Sequence, residues 1–345
     1  MKVFEYKNIL LIIIILLFPQ VVTGQDKILV CATTPDLGSL VSEIGAEKIE
    51  LTVFSKGSED PHFVEPKPSF VKKLSQADLF IQMGMELEIG WAPVLLNNSR
   101  NPKIQRGSPG FVDASTVISP LGIPAGILDR SLGDVHPLGN PHYLLDPLNG
   151  LKVARLLKER LSLIQPNQKE FFQNQFVLFV QKLGTRLVGE ELSQKYDIEK
   201  LAKLFEYGKI KTFLESQGES QKLSGWFGKV LPFYGMRVVE DHNGWLYFAT
   251  RFGFLISGSM EPKPGIPPST RHLKKLINKM KAEEIHVIFS SAYYNPKYAK
   301  FLADHTGAIV IALANQVRSR TETDNYLQML DYNVITLTNA LKGNS

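Results

Sequence analysis

Short apolar runs alternate with amphipathic stretches near the start of the chain. ILVCA (28–32), IELTVFSKG (49–57) and DLFIQMG (78–84) predict strands, and LGSLVSEIG (37–45) and PSFVKKLSQA (68–77) predict the helices between them. This alternation is typical of an α/β lobe with a mainly parallel sheet. Ligands of such sheets bind beyond the carboxyl ends of the strands, so we expect the ligand-binding residues in the turns that follow each strand.

The same alternation returns in the last third of the chain. Strands are predicted in KVLPFYGMRVVEDH (229–242), FLISG (254–258), IHVIFSS (285–291) and AIVIAL (308–313). Helices are predicted in GWLYFATRFG (244–253), RHLKKLINKMK (271–281), NPKYAKFLADHTG (295–307) and DNYLQMLDYNVITLTNALK (324–342). The pattern therefore indicates a second α/β lobe built on a similar plan.

The segment between the two lobes has a different pattern. Residues 107–141 are rich in Gly and Pro and predict a long irregular loop, whereas GLKVARLLKERLSLI (150–164) and QKEFFQNQFVLFVQKLGTRLVGEEL (168–192) have helical periodicity. We expect an N-terminal lobe over 25–165, a connecting helix over 166–192, a polar insertion over 193–225 and a C-terminal lobe over 226–345.

The first 24 residues resemble a targeting segment. Lys2 and Lys7 precede an apolar run over 9–18, and small residues come before a cleavage point after Gly24. We expect a cleaved signal peptide and a periplasmic protein, with an uncleaved anchor as the alternative. Cys31 is the only cysteine, so no internal disulfide can form, and charged residues separate it from the apolar run, which argues against a lipobox.

The net charge of +5 is spread along the chain rather than gathered in a basic block with interleaved aromatics, so nucleic-acid binding is not indicated.

Three histidines follow predicted strands. His62 ends Asp-Pro-His, His142 ends Asn-Pro-His, and His242 ends the strand that opens the second lobe. Imidazole is the most common ligand for transition metals, and three imidazoles suit zinc. The histidines are too far apart in the chain for a zinc finger, so they predict a metal site only if the fold brings strand ends together. His136 is close to His142 in sequence; we expect a loop residue that forms hydrogen bonds, with a place in the cleft and contact with the metal as the alternative.

Several blocks together resemble the metal-binding (zinc and manganese) substrate-binding proteins of ABC transporters, the cluster A-I family. These are TTPDLGSLVSEIG, GSEDPHFVEPKPS, NPHYLLDP, VVEDHNGWLYFATRFG, EPKPGIPPS and NYLQMLDYNVITLTNAL, which are distributed over nearly the whole of 27–342. The resemblance implies two α/β lobes joined by a rigid helix, with the metal between them. It implies that His62, His142 and His242 are three of the ligands.

The sequence departs from that family at the fourth ligand. A carboxylate is common near a late strand, but this chain has Asn315 after one strand and Ser290-Ser291 after another. Water, Glu59, Asp60 or Asp324 are the candidates for the position. Three imidazoles favour Zn²⁺ over Mn²⁺, which prefers more oxygen. We expect Asp146 or Glu65 to hold the second nitrogen of an imidazole.

The predicted function is capture of a divalent metal, zinc first and manganese as the alternative, and its delivery to an ABC permease by a monomeric protein. One alternative is a degenerate relative that acts as a metal buffer or adhesin. Another is a zinc hydrolase, since three histidines with an open position also activate water. No HExxH-type motif supports the hydrolase.

Overall fold

The computed structural model describes residues 27–124, 136–261 and 266–343. The predicted signal peptide lies outside these residues. The strands are β1 Ile28–Ala32, β2 Ile49–Val53, β3 Leu79–Gln82, β4 Phe111–Asp113, β5 Arg237–Glu240, β6 Leu255–Ser259, β7 Val287–Ser290 and β8 Ile309–Ala312. Among the described residues, no helix has the length and apolar character needed to span a bilayer.

Thirteen α-helices are present in the described part of the chain. The first lobe has α1 Pro35–Gly45, α2 Pro68–Gln76, α3 Ala92–Ser99 and α4 Pro147–Ile164. The middle segment has α5 Lys169–Val188, α6 Glu190–Lys195, α7 Ile198–Glu206, α8 Ile210–Ser216 and α9 Gly225–Val230. The second lobe has α10 Leu246–Phe252, α11 Thr270–Ala282, α12 Pro296–Thr306 and α13 Tyr326–Lys342.

The first lobe contains a parallel sheet in the order β2-β1-β3-β4. Val30 of the central strand β1 lies opposite Leu51 on one side and Leu79 on the other, and Val30 is buried. The prediction of irregular structure throughout 107–141 was wrong at β4, which pairs with β3. A three-residue edge strand is too short to show an alternating pattern, so only its partner reveals it.

The second lobe repeats this plan with the parallel order β6-β5-β7-β8. The strand predicted over 229–242 is shorter than expected, because α9 and a 3-10 turn (Leu231–Phe233) occupy its first part. β5 begins only at Arg237, after Gly235 has turned the chain with a φ of 86°. The apolar side chains before this turn pack as helix, which a short apolar run does not distinguish from strand.

The sequence predicted one continuous helix over 168–192, but the structure has two, α5 and α6, with a break between them. α5 ends at Val188, and Gly189 has a φ of 94°, outside the helical region. A Cβ at Gly189 would lie 1.9 Å from Ser224 Oγ, so this position requires glycine for space as well as for conformation. α6 then begins at Glu190.

One cluster of buried apolar side chains extends through both lobes and the middle helices. It includes Val30 in the first sheet, Phe179 in α5 and Phe289 in the second sheet. Tyr143 and Tyr247 meet edge to face across the junction, with ring centroids 6.4 Å apart. The lobes therefore share a packed core, which resists large changes in their relative orientation.

Asp36 adds a buried polar contact across the junction. Its carboxylate accepts a hydrogen bond from Val317 N at 3.1 Å, and the residue is 5% exposed. Burial raises the pKa of the Asp36 carboxyl from 3.8 to about 7, although the bond from Val317 acts in the opposite direction. The folded protein therefore favours the protonated acid.

Replacement of Asp36 by Asn should change how stability depends on pH. Because the folded-state pKa is raised, the contribution of Asp36 to stability is fully present below about pH 4 and is lost as the pH rises through about 7. Asn keeps an oxygen acceptor for Val317 but does not ionise. The unfolding free energy, measured with urea, should fall less between pH 5 and pH 8 for Asp36→Asn than for the wild type. Exposed Asp304→Asn is the control and should behave as the wild type does. Identical losses would contradict the prediction.

Candidate metal centre

The three histidines predicted from the sequence are each held by a local turn. The backbone N–H of His62 binds Asp60 Oδ1 at 3.0 Å, and that of His142 binds Asn140 Oδ1 at 2.9 Å. The Asp-Pro-His and Asn-Pro-His sequences thus form the same side-chain-to-backbone turn. The N–H of His242, just after β5, binds Asp241 Oδ1 at 2.8 Å.

These turns bring the three imidazole rings together at the junction of the lobes. The ring centroids are 5.5 Å apart for His62 and His142, 5.6 Å for His142 and His242, and 6.2 Å for His62 and His242. Two imidazoles on one zinc ion, with zinc–nitrogen distances of about 2.0–2.1 Å, would have centroids about 5 Å apart. The observed spacings are slightly wider, so small ring movements would complete a shared site.

The donor atoms are not yet arranged around one point. No group of three His, Cys, Asp or Glu side chains in the described parts of the chain has the geometry to hold a metal ion. His62 Nε2 instead lies 3.0 Å from Nε2 of a fourth histidine, His136. The three predicted ligands are neighbouring rings without hydrogen bonds to one another, and a metal would have to draw their nitrogens together.

A carboxylate holds the second nitrogen of two of these imidazoles. His62 Nδ1 lies 2.6 Å from Asp60 Oδ1, and His242 Nδ1 lies 3.1 Å from Glu261 Oε2. Burial opposes ionisation of Asp60, but its bonds to His62 outweigh burial and lower its pKa. Both carboxylates therefore fix the ring orientation and leave Nε2 as the donor that faces the cluster, as the outer partners of metal-bound histidines do.

The expectation that Asp146 or Glu65 would play this part was wrong. Asp146 accepts two hydrogen bonds from Arg251, at 2.8 and 2.9 Å, and caps the start of α4 through Leu148 N. Glu65 is exposed. The sequence did contain a signal for the Asp60–His62 contact, because Asp60 precedes His62 by only two residues. The contact between Glu261 and His242 depends instead on the packing of the second sheet.

His142 has the most unusual environment of the three. Its Nε2 is buried and has no hydrogen-bond partner among the described residues. Burial and the neighbouring imidazoles hold the pKa of His142 well below its usual value, so the ring is neutral. A buried nitrogen without a partner is costly, and a neutral imidazole is the form that binds metal.

The other carboxylates proposed for the fourth position lie elsewhere. Glu59 pairs with Lys56 at 3.0 Å, and exposed Asp324 lines a cavity of about 690 Å³ that none of the four clustered histidines lines. Asn315 Oδ1 accepts from Ala292 N at 3.3 Å. Asp60 is close, but it contacts the outer nitrogen of His62. His136 was not among the predicted ligands, and its closeness to His142 in sequence was the signal for the cleft position that was kept as an alternative.

Two lobes with parallel sheets, and buried imidazoles gathered where they meet, define a two-lobe ligand-binding protein. The family model described as ZnuA, zinc-uptake complex component A, periplasmic, matches residues 30–205 and 211–340. The chain belongs to this family, the metal-binding substrate-binding proteins of ABC transporters. These are solute-binding proteins and not enzymes, so the hydrolase alternative is set aside.

Curated relatives agree with this family. The manganese ABC transporter substrate-binding lipoprotein PsaA of Streptococcus pneumoniae (serotype 4, strain TIGR4) is 24% identical over 321 residues, 90% of this chain and 88% of the relative. The metal ABC transporter substrate-binding lipoprotein SloC of Streptococcus mutans is 22% identical over 325 residues, 92% of each chain. The chain therefore matches such proteins over nearly their whole length.

Solved structures confirm the fold. A crystal structure of ZnuA matches with a TM-score of 0.66 at 19% identity, covering 91% of this chain and 99% of that one. A manganese-bound periplasmic metal binding protein from Candidatus Liberibacter asiaticus matches with a TM-score of 0.63 at 18% identity, covering 90% and 98%. The predicted two-lobe α/β fold is thus confirmed.

Proposed function

We propose that this protein captures a divalent transition metal, zinc in preference to manganese, and delivers it to the permease of an ABC transporter. His62, His142 and His242 are the proposed ligands, and the metal is the transported substrate. The observation that carries the proposal is the gathering of these three rings at the junction of the lobes, where the buried Nε2 of His142 has no partner among the described residues.

The charges around the rings suit a dication. Imidazoles bind metal in their neutral form and supply no charge, but Asp60 and Glu261 lie directly behind two of them. Two outer carboxylates balance the +2 charge of the ion without replacing nitrogen donors, and they strengthen the imidazoles as donors. Nitrogen donors favour Zn²⁺ over Mn²⁺, which is the reason for placing zinc first. Relatives named for manganese and for zinc keep Mn²⁺ as the alternative.

We place the mature protein outside the cytoplasmic membrane, as its family implies, and in the periplasm after cleavage at Gly24. The expectation of no lipid anchor receives no support from the relatives, which are named lipoproteins. In this chain the only cysteine, Cys31, is buried in β1, and burial raises the pKa of its thiol to about 12. Cys31 is therefore a packing residue of the first sheet.

Isothermal titration of residues 25–345 with Zn²⁺ and with Mn²⁺, repeated for His142→Ala, tests this function. We expect one ion per wild-type chain. Loss of His142 should weaken binding at least about tenfold, because even loss of a partner behind a ligand costs about 10–100-fold.

His305→Ala is the control, since His305 is exposed on α12 and bonds only locally to Phe301 O. It should bind metal as the wild type does. A wild-type chain that binds neither ion, or a His142→Ala variant with unchanged affinity, would overturn the proposed site.

A further inference from the structure

His136 occupies a place in the cluster that the three proposed ligands leave open. Its Nε2 lies 3.0 Å from His62 Nε2, and the two ring centroids are 5.1 Å apart, the shortest of the histidine spacings described. In a tetrahedral zinc site, nitrogens about 2.0–2.1 Å from the metal are about 3.3 Å from each other. The two Nε2 atoms are therefore already close to the separation that a shared ion requires.

The ring of His136 is also held from behind. It forms a hydrogen bond with the backbone of Met85, which leaves Nε2 directed at His62. His136 thus has the same arrangement as His62 and His242, with one nitrogen fixed by the protein and the other facing the cluster.

The backbone that supports His136 is unusual. Gly84, Met85 and Glu86 follow β3 with φ values of 80°, 50° and 65°, so two residues with side chains lie in the left-handed region. Such conformations are costly and persist only where surrounding contacts impose them.

Glu88 supplies contacts that hold this turn. Its buried carboxylate accepts from Met83 N at 2.7 Å, from Gly84 N at 3.1 Å and from Thr33 Oγ1 at 2.6 Å. A turn fixed in this way presents the backbone of Met85 to His136 in one position.

We infer that His136 is the fourth ligand, so that the metal is held by four imidazoles, His62, His136, His142 and His242. This inference rests on the proposed function and deepens it. It accounts for Asn315 at the place where a carboxylate is usual, since Asn315 is engaged with Ala292 N and the fourth donor comes from the first lobe. Negative charge is supplied from behind the rings by Asp60 and Glu261 instead of by a ligand.

A site with four nitrogens has a consequence for selectivity. Manganese has the lowest affinity of the first-row divalent metals for such donors and prefers oxygen, whereas zinc accepts four tetrahedral nitrogens readily. His136 is therefore the residue that gives the site its higher affinity for Zn²⁺ than for Mn²⁺. Replacement by Ala should weaken zinc binding at least about tenfold and leave the weak manganese binding nearly unchanged.

The test measures Zn²⁺ and Mn²⁺ dissociation constants by chelator competition for wild type, His136→Ala, His136→Asp and the control His305→Ala. The visible spectrum of the Co²⁺-loaded proteins reports the donor set directly. We expect His136→Ala to alter the Co²⁺ bands and to weaken Zn²⁺ binding. His136→Asp supplies an oxygen donor in place of nitrogen and should reduce the difference between the Zn²⁺ and Mn²⁺ affinities. Thermal unfolding without metal should show that both variants fold.

Unchanged Zn²⁺ affinity and unchanged Co²⁺ bands in His136→Ala would overturn the inference while leaving the proposed function intact, provided that His142→Ala has lost binding. Altered affinity with unaltered Co²⁺ bands would also overturn it, because His136 would then act only by positioning His62. Failure of the wild type to bind metal would instead overturn both.

Discussion

Replacement of Arg251 by Met is expected to lower the free energy of unfolding by about 3–5 kcal/mol, because it would leave the buried carboxylate of Asp146 without its counterion. Arg251 lies on α10 in the second lobe and is 8% exposed. Its guanidinium forms two hydrogen bonds with Asp146, in the first lobe, and a third with Glu206 of α7 at 3.0 Å. One cation thus joins both lobes and the middle segment.

Urea unfolding of Arg251→Met measures this effect against Arg237→Met. Arg237 also pairs with a carboxylate, Glu283, at 3.3 Å, but its side chain is 53% exposed. Its loss should cost no more than about 1 kcal/mol, the usual contribution of a solvated ion pair. If the two variants lose similar amounts, water reaches Arg251 and the pair does not hold the lobes together. Because Asp146 also caps α4 four residues after His142, we expect the Arg251 variant to bind metal more weakly as well.

Replacement of Gly57 by Ala is the second substitution with a large expected effect. A Cβ at Gly57, in the segment between β2 and His62, would lie 2.1 Å from Val317 O and 2.4 Å from Arg318 C. Both are backbone atoms of the second lobe, so no side-chain rotation relieves the clash. The methyl group must displace one lobe relative to the other or shift the segment that carries His62. We expect a loss of about 1–3 kcal/mol in unfolding free energy, as for other overpacked sites, together with weaker zinc binding.

Gly90→Ala is the matched control for Gly57→Ala. The nearest heavy atom to a Cβ at Gly90 is His62 O, at 3.9 Å, which is an ordinary contact. Urea unfolding and zinc titration of Gly90→Ala should give values close to those of the wild type. Wild-type stability and zinc affinity in Gly57→Ala would show that the lobes separate at no cost along this edge.

Elements with a strong local pattern were predicted well. β1, α1 and β3 form where their apolar spacing indicated, and both parallel sheets follow from the alternation of strand and helix. Errors occurred where the local pattern was weak or ambiguous. β4 has only three residues, and the apolar residues 230–233 fold as helix although they satisfy a strand equally well.

In the candidate site, too, local features were predicted well and long-range contacts were missed. The turns at His62 and His142 are local, since an Asp or Asn side chain two residues earlier binds the histidine backbone, and their repeated sequence made both positions visible. The partner of His242 is Glu261, on the far side of β6, and sequence reasoning missed it. It also placed Asp146 behind a histidine, although Asp146 is bound to Arg251, more than a hundred residues away.

By itself, the sequence determined the two α/β lobes and the local turns at His62 and His142, because these depend on periodicity and on turns of a few residues. The strand expected just before His142 is not present among the described residues 136–142. Only the tertiary structure decided that the rings lie within 5.5–6.2 Å of one another, that His136 joins them, and which carboxylates stand behind them. Those contacts connect segments far apart in the chain, and their geometry is set by how two sheets and the shared core pack together, which no local pattern records.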